Sequence, residues 1–346
     1  MRLAVAAAAG TQPHPNPRVG AVVVGSDGTV LAERAHVEPG EPHAEASALA
    51  AAGDAARGGT LVVTLEPCTH YGRTPPCVDA ILAAGIRRVL VGAVDPDERV
   101  AGQGIASLEA AGVEVVTGVA PDTVAGLDPG YFHHRITGRP LVTLKIAMTI
   151  DGQIAAADGI SRWITSEEAR HDAHGLRADS DAVMIGAGTL RADDPRLDVR
   201  LDGYSGRQPQ PIVVAGNLPL PETASLWDRH PMIYRPQHGD DEPRGSEVVA
   251  LWHRDGVDLE AMMSDLGKRG VVDLLVEGGP TLAKSLLTAG LVDRFVFYIA
   301  GRIAGGLGMS PFGGSFPTLG ASRPLLILGV DRMGPDLRID AIAGEG

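Results

Sequence analysis

The sequence is poor in cysteine, in aromatic residues and in positive charge, and each shortage disfavours a class of protein. Cys68 and Cys77 are its only 2 cysteines, too few for the disulfide framework of a small secreted protein. Aromatic residues make up 4% of the chain, which leaves few surfaces for stacking nucleic-acid bases. Its 30 lysines and arginines face 43 aspartates and glutamates, and a net charge of −13 disfavours binding to a phosphate backbone.

Long hydrophobic runs are also missing. No segment approaches the roughly 20 apolar residues that cross a bilayer, and the apolar residues 1–10 are too short for a signal peptide. We therefore expect a cytoplasmic protein that binds neither membrane nor nucleic acid. With 346 residues, of which 44% are hydrophobic, the chain has room for two domains with ordinary cores.

What the sequence does contain is a spacing of residues typical of zinc sites. His43 is followed by Cys68 and Cys77, and an imidazole with two thiolates supplies three ligands to a tetrahedral zinc with one position open. Glu45 stands two residues after His43, which is the arrangement of the zinc-dependent deaminases. The alternative is that two buried cysteines and a helical histidine fall into this order by chance.

The predicted elements place these residues at the ends of strands and helices. His43 begins a predicted helix, Cys77 lies in the first turn of another, and Cys68 follows the end of a predicted strand. Because helix N-termini carry partial positive charge, they stabilise thiolates and other anions. Glu45 is then placed to transfer protons during catalysis, although it could also be a solvated carboxylate in the first turn of a helix.

Hydrophobic patterning and turn residues predict alternating strands and helices, with a domain boundary near residues 138–140. The first part should hold a hairpin over 19–24 and 29–36, strands at 60–65, 88–94 and 113–119, and helices at 43–56, 74–85, 104–111 and 122–137, the last broken at Pro129. The second should hold strands at 182–185, 211–214, 273–276 and 294–299, after a first strand from residue 141, and helices at 166–177, 259–268 and 281–289. This order predicts an α/β fold with domains 1–138 and 139–346.

In the second domain the first strand is not followed by a Rossmann fingerprint. Residues 276–281 instead join a strand to a helix through Gly278 and Gly279. Two glycines let a backbone approach a ligand closely, and the helix N-terminus offers N–H groups to phosphate. The same pair of glycines also occurs in an ordinary tight connection.

Several longer segments carry a family resemblance. Residues 67–77 and 14–20 closely resemble the bifunctional riboflavin-biosynthesis deaminase–reductases, and residues 145–152, 161–166 and 186–195 resemble the reductase half of that family. The resemblance implies a cytidine-deaminase-like three-layer domain followed by a dihydrofolate-reductase-like domain. It also implies zinc-dependent deamination of 2,5-diamino-6-(5-phosphoribosylamino)pyrimidin-4-one, followed by NADPH-dependent reduction of the ribosyl chain. Zn²⁺ and NADPH would be the cofactors, and we expect a homo-oligomer.

The resemblance also assigns roles to individual residues. His43, Cys68 and Cys77 would bind zinc, and Glu45, Lys145 and Asp193 would act in catalysis. The expected substrate-binding residues are Asn16, His36, His70, Arg73, Ser161, Arg177, Thr189, Leu197, Arg200 and Glu277. The expected cofactor-binding residues are Ala147, Trp163, Gly279, Pro280, Thr281, Leu282, Ala283, Lys284 and Ser285.

Some of these residues have simpler explanations. Asn16 could brace a proline-flanked turn, Arg73 could be a solvated loop cation, Arg177 and Arg200 could form surface salt bridges, and Trp163 could be a core residue. The sequence also departs from the family at Asp97, a carboxylate where the family has an amide.

Two other functions compete with this interpretation. One is a nucleoside or tRNA-base deaminase with a non-catalytic second domain, which the acidic composition and the long spacing between the cysteines disfavour. The other is a binding protein that keeps the fold without activity. The presence of all three metal ligands and of Glu45 disfavours that alternative for the first domain.

Overall fold

The chain folds into two compact units, Met1–Thr137 and Gly138–Gly346, in the computed structural model. The structure describes residues 1–98, 100–217, 219–237, 242–254, 256–306, 308–313, 318, 320 and 322–344. Within these ranges no helix combines the length and the apolar character needed to cross a membrane.

Unit 1 is built on a five-stranded sheet in the order β2-β1-β3-β4-β5. The strands are β1 Gly20–Val24, β2 Val30–Ala35, β3 Thr60–Leu65, β4 Arg88–Ala93 and β5 Glu114–Val116. The helices are α1 Arg2–Ala9, α2 Ala44–Ala52, α3 Cys77–Ala84, α4 Gln103–Ala110, α5 Pro121–Leu127 and α6 Pro129–Thr137, with a 3₁₀ turn at Gly53–Ala56. Strands β1 and β2 form a hairpin, while β3, β4 and β5 run parallel.

The alternation of side chains along β1 explains why helices cover both faces of this sheet. Ala21 and Val23 belong to a core that includes Ala48 of α2 and Ile81 of α3. Val22, which points to the other face, packs in a separate cluster with Ala4 of α1 and Val62 of β3. A helix–sheet–helix sandwich follows, as the α/β prediction requires.

Unit 2 holds a nine-stranded sheet in the order β10-β9-β8-β7-β13-β6-β14-β16-β15. These strands are β6 Leu141–Thr149, β7 Ala182–Gly186, β8 Gln210–Val214, β9 Met232–Arg235, β10 Glu247–Ala250, β13 Asp273–Val276, β14 Arg294–Ala300, β15 Leu325–Met333 and β16 Asp336–Ala343. A two-stranded ribbon is made by β11 Trp252–His253 and β12 Gly256–Val257. The helices are α7 Glu167–Ala178, α8 Ala187–Asp193, α9 Leu259–Lys268 and α10 Pro280–Thr288, with a 3₁₀ turn at Trp227–Arg229.

The strands of this sheet from β10 through β9, β8, β7, β13 and β6 to β14 run parallel to one another. At the other edge, β16 runs antiparallel to β14, and β15 pairs with β16 as an antiparallel hairpin. The parallel strands are apolar on both faces because helices cover both. Leu274 and Val276 pack with Met262 of α9 and Leu286 of α10, whereas Leu275 packs with the α8 side of the sheet. The carboxyl ends of these parallel strands meet at one edge, where α/β proteins bind their ligands.

Most predicted elements are found, and several bounds match to the residue. Strands β3 and β13 and helix α9 have the predicted ends, and the expected break at Pro129 separates α5 from α6. One predicted helix start is wrong: the helix predicted from residue 74 begins at Cys77, with Pro76 as its N-cap residue and no side-chain cap. The predicted strand over 113–119 is shorter, since β5 covers only Glu114–Val116.

Candidate functional site

Two candidate sites lie in the two units, and the first is a cluster of three ligand atoms. The Nδ1 of His43 lies 3.3 Å from the sulfur of Cys77 and 3.6 Å from that of Cys68, and all three atoms fall within 4.8 Å of one another. Tetrahedral zinc with its usual bond lengths separates a nitrogen and a sulfur ligand by roughly 3.6 Å. The spacing of this donor set therefore fits one zinc ion.

The local fold brings the three ligands together. His43 is the extended N-cap residue of α2, Cys77 is the first residue of α3, and Cys68 follows β3. The backbone N–H of Cys77 also donates to the sulfur of Cys68 at 3.4 Å, which favours the thiolate. Hydrogen bonds from Cys77 and His43 lower the pKa of Cys68 to about 4. The hydrogen bond to Cys68 and burial raise the pKa of Cys77.

Glu45 lies in the first turn of α2 and is only 3% exposed, so it is not a solvated carboxylate. Burial and, to a smaller extent, the nearby Cys68 raise the pKa of Glu45 to about 7, against the opposing effects of a backbone hydrogen bond and of His43. A carboxyl group with a pKa near neutrality can both accept and release a proton at physiological pH.

Asn16 and His36 lie on one side of this cluster. The amide of Asn16 donates to Nε2 of His36 at 2.9 Å, and Nδ1 of His36 then donates to the carbonyl of Pro42 at 3.3 Å. The ring of His36, 2% exposed, meets the ring of His43 edge to face at 5.1 Å. Burial lowers the pKa of His36, which keeps the imidazole neutral beside the metal ligand.

The segment between the two cysteines has a different character. His70 and Arg73 are exposed in a loop without regular structure, together with Tyr71, whose hydroxyl donates to Asp79. This loop follows Cys68 directly in the sequence. Among the described residues, however, neither His70 nor Arg73 contacts the cluster of three ligand atoms. Asp97 is buried and pairs with Arg135 at 3.5 Å, so its carboxylate has a structural partner within unit 1.

Glu66 is a supporting residue that sequence analysis missed. Its buried carboxylate accepts backbone N–H groups at 2.9–3.4 Å from Asp95, Gly102, Gly104 and Ile105. Gly104 packs so closely that a Cβ there would lie 1.9 Å from the carbonyl oxygen of Pro67. These contacts fix the backbone from Glu66 to Cys68 against the start of α4. A single acidic residue directly before the Pro67–Cys68 pair is the signal that could have identified it.

The second candidate site is a cavity of ≈ 1290 Å³ in unit 2. Its walls come from the carboxyl ends of β6, β7 and β8, from α7 and α8, and from the segment after β13. The predicted residues that line it are Lys145, Ala147, Ser161, Trp163, Arg177, Thr189, Asp193, Leu197, Arg200, Glu277, Gly279, Pro280, Thr281, Leu282 and Ser285. Ala283 and Lys284 do not line it, because α10 turns Ala283 into the core and Lys284 to the solvent.

A buried charge cluster lies in the wall of this cavity. Arg177 holds the carboxylate of Glu277 with two hydrogen bonds, of 2.6 and 3.0 Å, and Nζ of Lys145 lies 3.5 Å from the same group. Burial by itself would raise the pKa of Glu277, but Arg177 and Lys145 outweigh it and hold the pKa at about 2. Arg177 is therefore not a surface salt bridge, and Arg200, which pairs with Asp198, is the more exposed cation.

Trp163 is 61% exposed at the cavity and is not a core residue. The guanidinium of Arg170 lies 4.5 Å from its ring centre and that of Arg162 lies 5.9 Å away, which are cation–π contacts. Arg162 also bonds the backbone carbonyl of Asp193 and lies 3.8 Å from its carboxylate. An aromatic surface held in this way can support a flat ring such as a nicotinamide.

The glycine connection of residues 276–281 does open onto the cavity. Gly279 is the N-cap of α10 and Pro280 is its first residue. A Cβ on Gly279 would approach the hydroxyl of Thr189 to 3.2 Å, and one on Gly278 would approach Leu282 to 2.9 Å. Small residues are needed for this backbone to run along the cavity wall, where helix N–H groups suit phosphate.

Comparisons with known protein families match both units. The RibD C-terminal domain matches residues 140–336, and the cytidine and deoxycytidylate deaminase zinc-binding region matches residues 1–93. The riboflavin biosynthesis protein RibD of Aquifex aeolicus is 40% identical over 305 residues, with 87% of this chain and 85% of that protein covered. The protein of the same name from Escherichia coli is 40% identical over 307 residues, covering 84% and 83%.

Solved structures agree over nearly the whole length. Acinetobacter baumannii RibD superposes with a TM-score of 0.91 at 34% identity, covering 99% of this chain and 98% of that one. A diaminohydroxyphosphoribosylaminopyrimidine deaminase/5-amino-6-(5-phosphoribosylamino)uracil reductase from Thermotoga maritima superposes with a TM-score of 0.88 at 32% identity, covering 99% and 97%.

The role of Glu66 can be tested by a substitution that keeps its shape. Glu66→Gln removes the charge that the surrounding N–H groups bind, so the free energy of unfolding should fall by about 1–3 kcal/mol. Urea denaturation measures this change, and a chelator challenge should release zinc faster from the variant. Glu33→Gln, at an exposed position of β2, is the control. Equal stability of Glu66→Gln and the wild type would contradict the structural role.

Proposed function

The chain belongs to the RibD family of riboflavin-biosynthesis proteins, and from this we propose which of its residues carry out the two reactions of that family. The protein is a bifunctional enzyme with Zn²⁺ and NADPH as cofactors. It deaminates 2,5-diamino-6-(5-phosphoribosylamino)pyrimidin-4-one by hydrolysis and then reduces the ribosyl side chain to a ribityl chain. The first reaction belongs to the zinc-ligand cluster of unit 1, and the second to the cavity of unit 2.

We assign the zinc ion to His43, Cys68 and Cys77, and the convergence of their three ligand atoms is the observation that carries this assignment. When bound, zinc supplies Lewis acidity, which lowers the pKa of a water molecule to about 7. Glu45 accepts one proton from the attacking water and passes it to the ring nitrogen, and it then passes the remaining hydroxyl proton to the amino group, which leaves as ammonia. Its burial and its raised pKa support this shuttle.

Asn16 and His36 complete the proposed pyrimidine site. The hydrogen bond between them fixes the neutral ring of His36 beside His43, so the metal ligand keeps one orientation. His70 and Arg73 lie in the exposed loop after Cys68, where the guanidinium of Arg73 suits the phosphorylated arm of the substrate. Together these residues account for a substrate that is a flat ring with an anionic tail.

The proton shuttle is tested by removing only its charge. Glu45→Gln keeps the volume but cannot accept a proton, so deamination should fall at least about 10²-fold. Ammonia release measures the first reaction, while NADPH oxidation with the deaminated substrate and zinc content should stay at wild-type values. Glu41→Gln, exposed just before the ligand His43, is the control. Deamination at the wild-type rate would refute Glu45 as the shuttle.

For the second reaction we propose that NADPH lies along Ala147, Trp163 and the start of α10. When bound, NADPH would supply the hydride for the reacting sugar carbon, and these residues would orient the cofactor and the substrate. Of the expected α10 contacts, Gly279, Pro280, Thr281, Leu282 and Ser285 face the cavity, so we withdraw direct contacts for Ala283 and Lys284. Ser161, Thr189 and Leu197 line the part assigned to the substrate.

Lys145 and Asp193 are the two proposed proton donors at the reacting sugar. The Nζ of Lys145 lies 3.5 Å from Oε2 of Glu277, the oxygen that also accepts a hydrogen bond from Arg177. Asp193 lies near Arg162 at the end of α8. The position of Lys145 in the charge cluster favours it, because the paired Glu277 fixes its direction. Arg177 thereby positions Glu277 and Lys145, while Arg200 remains available to an anionic group.

The charge cluster predicts a selective defect in reduction. Glu277→Gln leaves Arg177 and Lys145 without their counter-charge, so kcat/KM for NADPH-dependent reduction should fall by about ten-fold or more. Deamination by the same sample should be unaffected, because its residues lie in unit 1. The control is Glu260→Gln, exposed on α9. A proportional loss of both activities would show that Glu277 acts only through stability.

We propose that the partners of this chain are phosphorylated pyrimidines and a second copy of itself, and that it acts in the cytoplasm. Both cysteines are used as reduced metal ligands, which supports a reducing compartment. The dimer is supported by β15, an edge strand with a run of exposed apolar side chains: Leu325, Leu326, Ile327, Leu328 and Val330. An exposed apolar edge strand usually has a partner, because its unpaired backbone groups can extend a sheet.

The dimer proposal is tested by placing a charge on this strand. Leu326→Glu should shift sedimentation equilibrium from dimer towards monomer, because a carboxylate at an apolar interface is costly to desolvate. Ile136→Glu, at a position 73% exposed on α6, is the matched control and should stay dimeric. A wild-type protein that sediments as a monomer at micromolar concentration would contradict the proposal.

A further inference from the structure

One face of α7 carries a polar residue to which the resemblance gives no role. Arg170, Ala173, His174 and Arg177 all line the cavity, and their spacing of three and four residues places them along one side of the helix. Arg170 lies against Trp163 and Arg177 is held by Glu277. His174 is therefore the remaining polar side chain on this face whose use is unexplained.

The hydrogen bonding of His174 fixes where its proton lies. Nδ1 is 3.3 Å from the backbone nitrogen of Arg200 and accepts its N–H. Because a backbone N–H can only donate, Nδ1 carries no hydrogen, and in the neutral ring the hydrogen is on Nε2. Among the described residues no hydrogen-bond acceptor is found for this Nε2–H group, and His174 lines the cavity.

The charges around the ring keep it neutral. Burial lowers the pKa of His174 most, and the guanidinium groups of Arg177 and Arg200 lower it further, to about 4. The carboxylates of Glu277 and Asp198 act in the opposite direction, but each is already bound by an arginine. At neutral pH, His174 is therefore an uncharged hydrogen-bond donor. It adds no positive charge to those of Arg177 and Arg200.

We propose that His174 is a further substrate-binding residue of the reductase site, and that its Nε2–H group donates a hydrogen bond to the phosphate of the substrate. The inference rests on the proposed assignment of reduction to this cavity. A phosphate monoester offers three acceptor oxygens in different directions, which a single guanidinium does not satisfy. The bond from the Arg200 backbone N–H holds the His174 ring next to the residue that carries a second cation, and both residues line the cavity.

A sugar hydroxyl is the competing acceptor for this N–H group. Charge favours phosphate, because the nearby Arg177 and Arg200 raise the local positive potential. A hydroxyl would gain little from that potential, whereas a dianion gains from both cations as well as from the hydrogen bond. The two acceptors predict different responses when the phosphate is removed from the substrate.

The test compares His174→Gln with His174→Phe in the full-length, zinc-loaded enzyme. The amide nitrogen of glutamine reaches the position of Nε2, whereas phenylalanine keeps the ring size and removes the donor. NADPH oxidation is followed with 5-amino-6-(5-phosphoribosylamino)uracil and with its dephosphorylated counterpart. We expect His174→Phe to raise the KM of the phosphorylated substrate about ten-fold, with kcat changed less than about two-fold. His174→Gln should restore most of this loss, and neither variant should change KM for the dephosphorylated compound.

Equal losses on both substrates, or none on the phosphorylated one, would overturn the inference. Failure of the wild type to oxidise NADPH with this substrate would instead overturn the reductase assignment, and the inference with it. A second measurement avoids variants: the imidazole ¹⁵N–¹H spectrum of the wild type should show His174 as the Nε2–H tautomer. Ribose 5-phosphate should shift that signal while ribose does not, and an unshifted signal would also overturn the inference.

Discussion

The proposed deaminase site depends on the convergence of one imidazole and two sulfurs at a single point. Each ligand reaches that point from a different element, with His43 before α2, Cys68 after β3 and Cys77 at the start of α3. The ligands therefore also tie these elements to one another when zinc is bound, and the site is part of the stability of unit 1. A change that moves any one of these elements should weaken metal binding and fold together.

The supporting contacts around this point are mostly charges bound by backbone N–H groups. Glu66 bonds the turn and first residues of α4, and Asp128 accepts the N–H of Arg18 at 2.9 Å next to the turn that carries Asn16. Buried carboxylates of this kind are costly to desolvate, and their hydrogen bonds offset the cost. These hydrogen bonds hold the loops in fixed shapes. A metal site needs such loops, because its ligands must be positioned to within a few tenths of an ångström.

The cavity of unit 2, to which we assign the reduction, poses a different problem, because its proposed substrate is an anion and the chain has a net charge of −13. Its cations are held in defined positions by carboxylates: Glu277 binds Arg177 and Lys145, and Asp198 binds Arg200. Such pairs reduce the repulsion between neighbouring cations and orient them before the substrate arrives. They also leave the neutral His174 as a donor that does not raise the local charge further.

The sequence predicted those features that depend on local pattern. Strands β3 and β13 and helix α9 were predicted to the residue because apolar runs and turn residues mark their ends. The ligand set was predicted because His43, Cys68 and Cys77 lie within one short segment at element boundaries. The pairing of Arg177 with Glu277 was not predicted, because it joins residues 100 positions apart in the chain.

Other elements were missed for related reasons. The helix α8 is short and contains Gly188, a residue of low helix propensity. Strand β15 begins with an unbroken apolar run and is exposed on both faces, so it lacks the alternation by which half-buried strands are recognised. The bonding of His174 depends on the backbone of Arg200, and no residue pattern indicates such a contact.

Zinc K-edge X-ray absorption on the purified protein tests the central claim most directly. The account predicts about one zinc per chain, with two sulfur ligands at about 2.3 Å from the zinc and nitrogen and oxygen ligands at about 2.0–2.1 Å. Absence of zinc from active protein, or a first shell without two sulfur ligands, would contradict it.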